Sequence, residues 1–201
     1  DGSGMSTTGN GGVAIGSGAG NTIKNLAGEF VIIGSSAGLR INGTGVTHIG
    51  WEAGRNASGS YNTFVGADAG AGGTTSAPYS SGTSNVAVGY EALKAFTTAT
   101  RMVAIGYEAM TDVTTGADSI AIGYQAAYYD VGINSVSIGS HAGMANGGGY
   151  NVSIGFRAGT TTTGNSNVAI GNDAMRFLNA VMRMLPLVTP LVLIYLELKQ
   201  P

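Results

Sequence analysis

Asn167-Val168-Ala169-Ile170-Gly171-Asn172-Asp173-Ala174 is the plainest copy of a phrase that runs through this chain. Close copies are Asn-Val-Ala-Val-Gly-Tyr-Glu-Ala at residues 85–92 and Met-Val-Ala-Ile-Gly-Tyr-Glu-Ala at 102–109. Others are Ser-Ile-Ala-Ile-Gly-Tyr-Gln-Ala at 119–126 and Asn-Val-Ser-Ile-Gly-Phe-Arg-Ala at 151–158. Ten copies are legible, centred on Gly16, Gly34, Gly50, Gly66, Gly89, Gly106, Gly123, Gly139, Gly155 and Gly171. Successive glycines are 18, 16, 16, 23, 17, 17, 16, 16 and 16 residues apart. A near-fixed period of this kind decides the architecture before any other signal.

In every copy the residues three and one before the glycine are β-branched, as in Val86 and Val88, or Ile120 and Ile122. Residues two apart share a face of a strand, and β-branched side chains favour strands. Each phrase therefore predicts a short strand whose Val/Ile face fills an interior. The glycine ends or bends that strand, where a side chain would be costly. Three residues further on stands alanine in all ten copies, including Ala92, Ala109, Ala126, Ala158 and Ala174. A residue kept that small at one place implies a thin interior.

A period of 16–17 residues suits one coil of a parallel β-solenoid, read here as two short strands and two turns. Ten coils at the inter-strand spacing would make a rod about 50 Å long. The expected layout is a Gly/Ser-rich lead-in at 1–12, solenoid repeats at 13–175, and an apolar segment at 176–201. The single 23-residue gap predicts an insertion near 71–84, with Pro78 and Tyr79 looping out. In the last segment, Phe177, Leu178, Val181, Met182 and Leu185 fall at helical spacing up to Pro186, and a strand-like run follows Pro190. This reads as a short apolar helix-plus-strand cap or subunit contact. Its uninterrupted apolar stretch, 13 residues at 184–196, is short for a membrane span.

Composition narrows the function classes. Glycine is 35 of 201 residues, but 43% are hydrophobic and regularly placed, which opposes disorder. A net charge of −2 without a basic run gives no reason to expect nucleic acid. The absence of cysteine excludes disulfides and thiolate metal sites. A chain starting at Asp1 without a leader reads as a processed product or fragment.

The phrase Asn-Val-Ala-Ile-Gly-x-x-Ala, repeated at this spacing, resembles the head repeats of trimeric autotransporter adhesins (YadA-like heads), which occur also in phage tail fibres and bacterial surface fibres. The resemblance covers about residues 12–175. It implies a left-handed parallel β-roll, a side-by-side homotrimer, and an extracellular attachment role on a virion tail or cell-surface appendage. The period departs from the family's shorter one, near 14 residues, and neither a heptad stalk nor a membrane anchor follows. A single Ile-Gly-x-x-Ala also looks like one hexapeptide of β-helix acyltransferases, but those carry it on three sides of an 18-residue coil. A third reading is a filament of rolls joined end to end through 176–201.

No catalytic, cofactor or metal site is predicted. The two histidines, His48 and His141, have no evident Ser or Asp companion at a recurring place. The column two after the glycine holds Glu52, Asp68, Glu91 and Glu108, then Gln125, His141, Arg157 and Asp173, and reads as a solvated face. One after the glycine stand Trp51, Tyr90, Tyr107, Tyr124 and Phe156. The three consecutive tyrosines should stack as a ladder. These five are the candidate contact residues, either between subunits or with a surface glycan or protein receptor. Sequons occur at Asn42, Asn56 and Asn151.

Overall fold

The computed structural model describes residues 11–21, 28–74, 76, 79–129, 132–162 and 164–178. The fold is all-β, with no helix among the described residues. Ten strands form one parallel sheet: β1 (Gly12–Ile15), β2 (Phe30–Ile33), β3 (Val46–Ile49), β4 (Thr63–Val65), β5 (Val86–Val88), β6 (Val103–Ile105), β7 (Ile120–Ile122), β8 (Val136–Ile138), β9 (Val152–Ile154) and β11 (Val168–Ile170). Each pairs with the strand one repeat away, so the chain winds as a β-solenoid of about nine turns. Register keeps equivalent residues stacked: Ala104 faces Ala121, and Ile105 faces Ile122.

One regular strand per coil is found, not two. Among the described residues, the return side pairs only at β10 (Thr161–Thr162) with β12 (Phe177–Leu178), and at the bridges Ala57–Ser80 and Thr100–Ala117. Elsewhere it is turn, stitched coil to coil by backbone bonds such as Gly54 N–H to Ala69 C=O at 2.9 Å. Phe177–Leu178 is thus strand where helical spacing predicted a helix. Pairing with the preceding coil overrides the local periodicity. Residues 179–201, with the rest of the expected cap, lie outside the described residues, as does Pro78.

The sheet is turned inside out relative to the sequence expectation. Ala104, between Val103 and Ile105, is fully buried, while Ile105 is 37% exposed. The small residue points inward in coil after coil, at Ala87, Ala121, Ser137 and Ser153, and the β-branched pair faces outward. The alanine after the glycine is also sealed at Ala92, Ala109, Ala126 and Ala158, and half-buried in the last coil at Ala174. Two alanine-sized columns thus run through the interior, with larger side chains such as Leu93, Phe96, Met102 and Met110 packed beside them.

In the coils of β2 to β6, volume is exchanged between the inward strand residue and the residue four after the glycine. Ile32, His48 and Phe64 stand against Gly38, Gly54 and Gly70, whereas Ala87 and Ala104 stand against Leu93 and Met110. A Cβ on Gly70 would lie 2.5 Å from the Phe64 ring. Such swaps at constant volume are what a close-packed interior tolerates. The glycines that define the phrase are held by two constraints. Gly106 has φ 132°, and a Cβ there would lie 2.8 Å from the Gly123 carbonyl carbon in the next coil. Gly89, Gly123 and Gly155 repeat this close approach, whereas Gly171 ends the column, with only the Ala174 methyl near its missing Cβ.

An inward polar column, unforeseen from the phrase, runs at its first residue. Asn62 Oδ1 accepts the Asn85 N–H at 2.9 Å, and Asn85 Oδ1 accepts that of Met102 at 3.0 Å. Ser119, Ser135 and Asn151 continue the same relay. Each side chain takes up a buried amide that would otherwise be costly. Within the expected insertion, the Gly73 N–H bonds to the Phe96 C=O and the Ser80 N–H to the Asn56 C=O.

Candidate functional site

Three exterior features remain once the interior is accounted for. The first is the outward sheet face. Two β-branched columns run its length: Val13, Val31, Thr47, Thr63, Val86, Val103, Ile120, Val136, Val152 and Val168, beside Ile15, Ile33, Ile49, Val65, Val88, Ile105, Ile122, Ile138, Ile154 and Ile170. None of these twenty is buried. Ten strands give a face about 43 Å long, and two columns with their side chains about 10 Å wide. That is roughly 400 Å² of flat, nearly uncharged surface, the size at which an apolar patch marks an interaction site.

The aromatic strip borders this face. Tyr107 lies between Tyr90 and Tyr124, with ring centroids 5.1 and 5.4 Å away. His141 takes the next place, 5.2 Å from Tyr124, because Ser140 stands where the tyrosine would be. Phe156 meets His141 edge-on at 6.4 Å, and Arg157 lies over the Phe156 ring. The expected ladder of three tyrosines is present and is continued by two further rings, His141 and Phe156. Its geometry limits recognition: the faces of Tyr107 are covered by its neighbours, so the ladder offers edges and hydroxyls rather than open ring faces. Trp51 stands apart, separated from Tyr90 by Ala67; it is 54% exposed and has no ring against it among the described residues. The tyrosine hydroxyls bond to the following carboxylates, Tyr90 to Glu91 and Tyr107 to Glu108, which raises both phenol pKa values.

Beside the strip runs the third feature, a shallow cleft of about 390 Å³ lined by Glu52, Arg55, Asp68, Glu91, Lys94 and Asp112 among others. Its charges are largely mated: Arg55 to Glu52 and Lys94 to Glu91, each at 2.8 Å, with Asp68 at 4.0 Å from Lys94. Burial raises the Asp68 pKa, against the pull of Lys94. Burial also pushes Glu91 up, but bonds from Lys94 and Tyr90 outweigh it and hold that carboxyl below its ordinary value. Glu108 accepts from Gln125 at 2.6 Å. No three metal-ligating groups converge among the described residues.

The histidines part company. His48 is sealed in the interior, and His141 sits on the strip, where Ser140 Oγ lies 2.9 Å from its Nδ1. That pair has the spacing of a nucleophile and base, yet no third group orients the ring through Nε2 among the described residues. Of the sequons, Asn56 and Asn151 are buried and engaged in hydrogen bonds, leaving Asn42 exposed. The interior Asn/Ser column and the big-for-small exchange were readable only by aligning coils position by position. Comparison with protein-family models, curated proteins and solved structures gives no match.

Proposed function

We propose that this chain is a rigid segment of an extracellular fibre, a homotrimer of left-handed rolls packed side by side, with a mechanical and adhesive rather than catalytic role. The observation that carries the reading is the outward Val/Ile face. A monomer that exposes an unbroken β-branched sheet over ten strands gains by covering it. A second copy offers a face of matching length and period, so identical coils meet in register and the contact extends coil by coil. The resemblance to adhesin-head repeats supports three copies and a surface location. Receptor contact would then fall to what the trimer leaves outside, with Trp51 and the edges of Tyr90, Tyr107, Tyr124 and Phe156 as the first choice. Repeated weak contacts on three chains would add through avidity.

Sedimentation velocity tests the oligomer. The wild type should sediment as a trimer at micromolar concentration. Ile105→Lys with Ile122→Lys, two charges placed mid-face, should sediment as a monomer with its β-sheet circular dichroism retained. A monodisperse wild-type monomer would remove the basis of the proposal.

A further inference from the structure

His48 occupies an unusual place. It lies on β3 with its side chain inward, between Ile32 of the coil below and Phe64 of the coil above. The imidazole stacks on the Phe64 ring at 5.0 Å, and Gly54 leaves it room: a Cβ there would come within 2.7 Å of its Cγ. Both ring nitrogens are buried without a hydrogen-bond partner. The neutral form is therefore the one the site accepts.

His48 also marks a seam. On one side is a small apolar cluster of Ala19, Phe30, Ile32, Ala37, Ile41 and Val46. On the other the main cluster begins with Ala53 and Phe64 and continues to Ala127. Charged groups on the flanking turns do not reach the ring to compensate it. Arg40 bonds to the Asn56 side chain, and Arg55 bonds to Glu52. Solenoids are held by neighbour-to-neighbour stacking, so coils at one end can open without the rest.

We propose that His48 is an acid-triggered release for the N-terminal coils: protonation of its unpartnered imidazole opens the roll between β2 and β4 and frees the coils below, leaving β5 to β11 stacked. The closed state excludes the proton and the open state takes it up. Burial lowers the folded-state pKa from 6.5 to about 3, so the stability of this joint is complete above pH 6.5 and is lost as pH falls between those values. Each pH unit in that window multiplies the open fraction about tenfold.

Hydrogen exchange on the full chain, corrected for the intrinsic pH dependence of exchange, tests this. Between pH 6.5 and 4.5 the opening constant of amides in residues 30–50 should rise about 50-fold. Amides in residues 86–170 should stay protected. His48→Phe, which continues the ring stack of Phe64, should abolish the rise, and so should His48→Ile, which repeats the Ile32–Gly38 arrangement of the preceding coil. The proposal is overturned if wild type and both variants respond alike, or if residues 86–170 open in step with the N-terminal coils.

Discussion

The exchange of volume across the interior can be tested by moving one coil's solution into another. Phe64→Ala removes a fully buried ring and should cost about 3–5 kcal/mol. Gly70→Leu alone places a side chain at φ 53°, 2.5 Å from that ring. The left-handed backbone costs about 1–2 kcal/mol and the overpacking about 1–3 kcal/mol more. Added independently, the two substitutions would cost about 5–10 kcal/mol. Together, however, they recreate the next coil, where Ala87 faces Leu93, both fully buried and with Leu93 at φ 52°. The double variant should therefore lose only about 2 kcal/mol, chiefly the left-handed strain. That is a coupling of about 3–8 kcal/mol, at or above the top of the range for touching residues. Native-state hydrogen exchange of the β4 and β5 amides is the suitable assay, because a stacked array need not unfold as one unit. If the double variant loses the sum of the single losses, the two positions do not share one volume and the reasoning fails.

Other outcomes follow from the same geometry. Gly106→Ala, strained at φ 132° and pressed on the next coil's backbone, should cost more than about 3 kcal/mol and show as a lost cooperative transition by circular dichroism. Asn85→Ala leaves the buried Met102 N–H and Ala99 C=O without partners and should cost about 2–4 kcal/mol in urea unfolding. Asn85→Ser should recover much of that loss, since Ser119 does the same work two coils on. Tyr107→Ala breaks two stacked pairs and should cost roughly 1–3 kcal/mol, whereas Trp51→Ala, with no ring beside it, should leave the melting temperature nearly unchanged. Equal losses at the two sites would show that ladder stacking contributes nothing to the rod.

The sequence alone determined the period, and with it the parallel stack, because ten glycines and ten alanines can recur at 16–17 residues only if each coil repeats its neighbour. It also placed the tyrosine ladder, since residues at one phase of a stacked repeat must lie above one another. What it could not determine was which side of the strand is inside. Val-Ala-Ile alternates large and small whichever way it faces, and the hydrophobic rule favours burying the larger pair. The tertiary structure decided otherwise, because the space between strand and turn is already taken, beside the two alanine columns, by side chains such as Leu93, Phe96, Met102 and Met110. Ala104 and Ala109 both vanish from solvent, and Val103 and Ile105 are left on the outer face. The same constraint explains why Phe64 and His48 enter the interior only where glycine stands opposite. With the alanine columns and these larger residues in place the interior has no room for the β-branched pair as well, and that turns the apolar face toward whatever lies beside the roll.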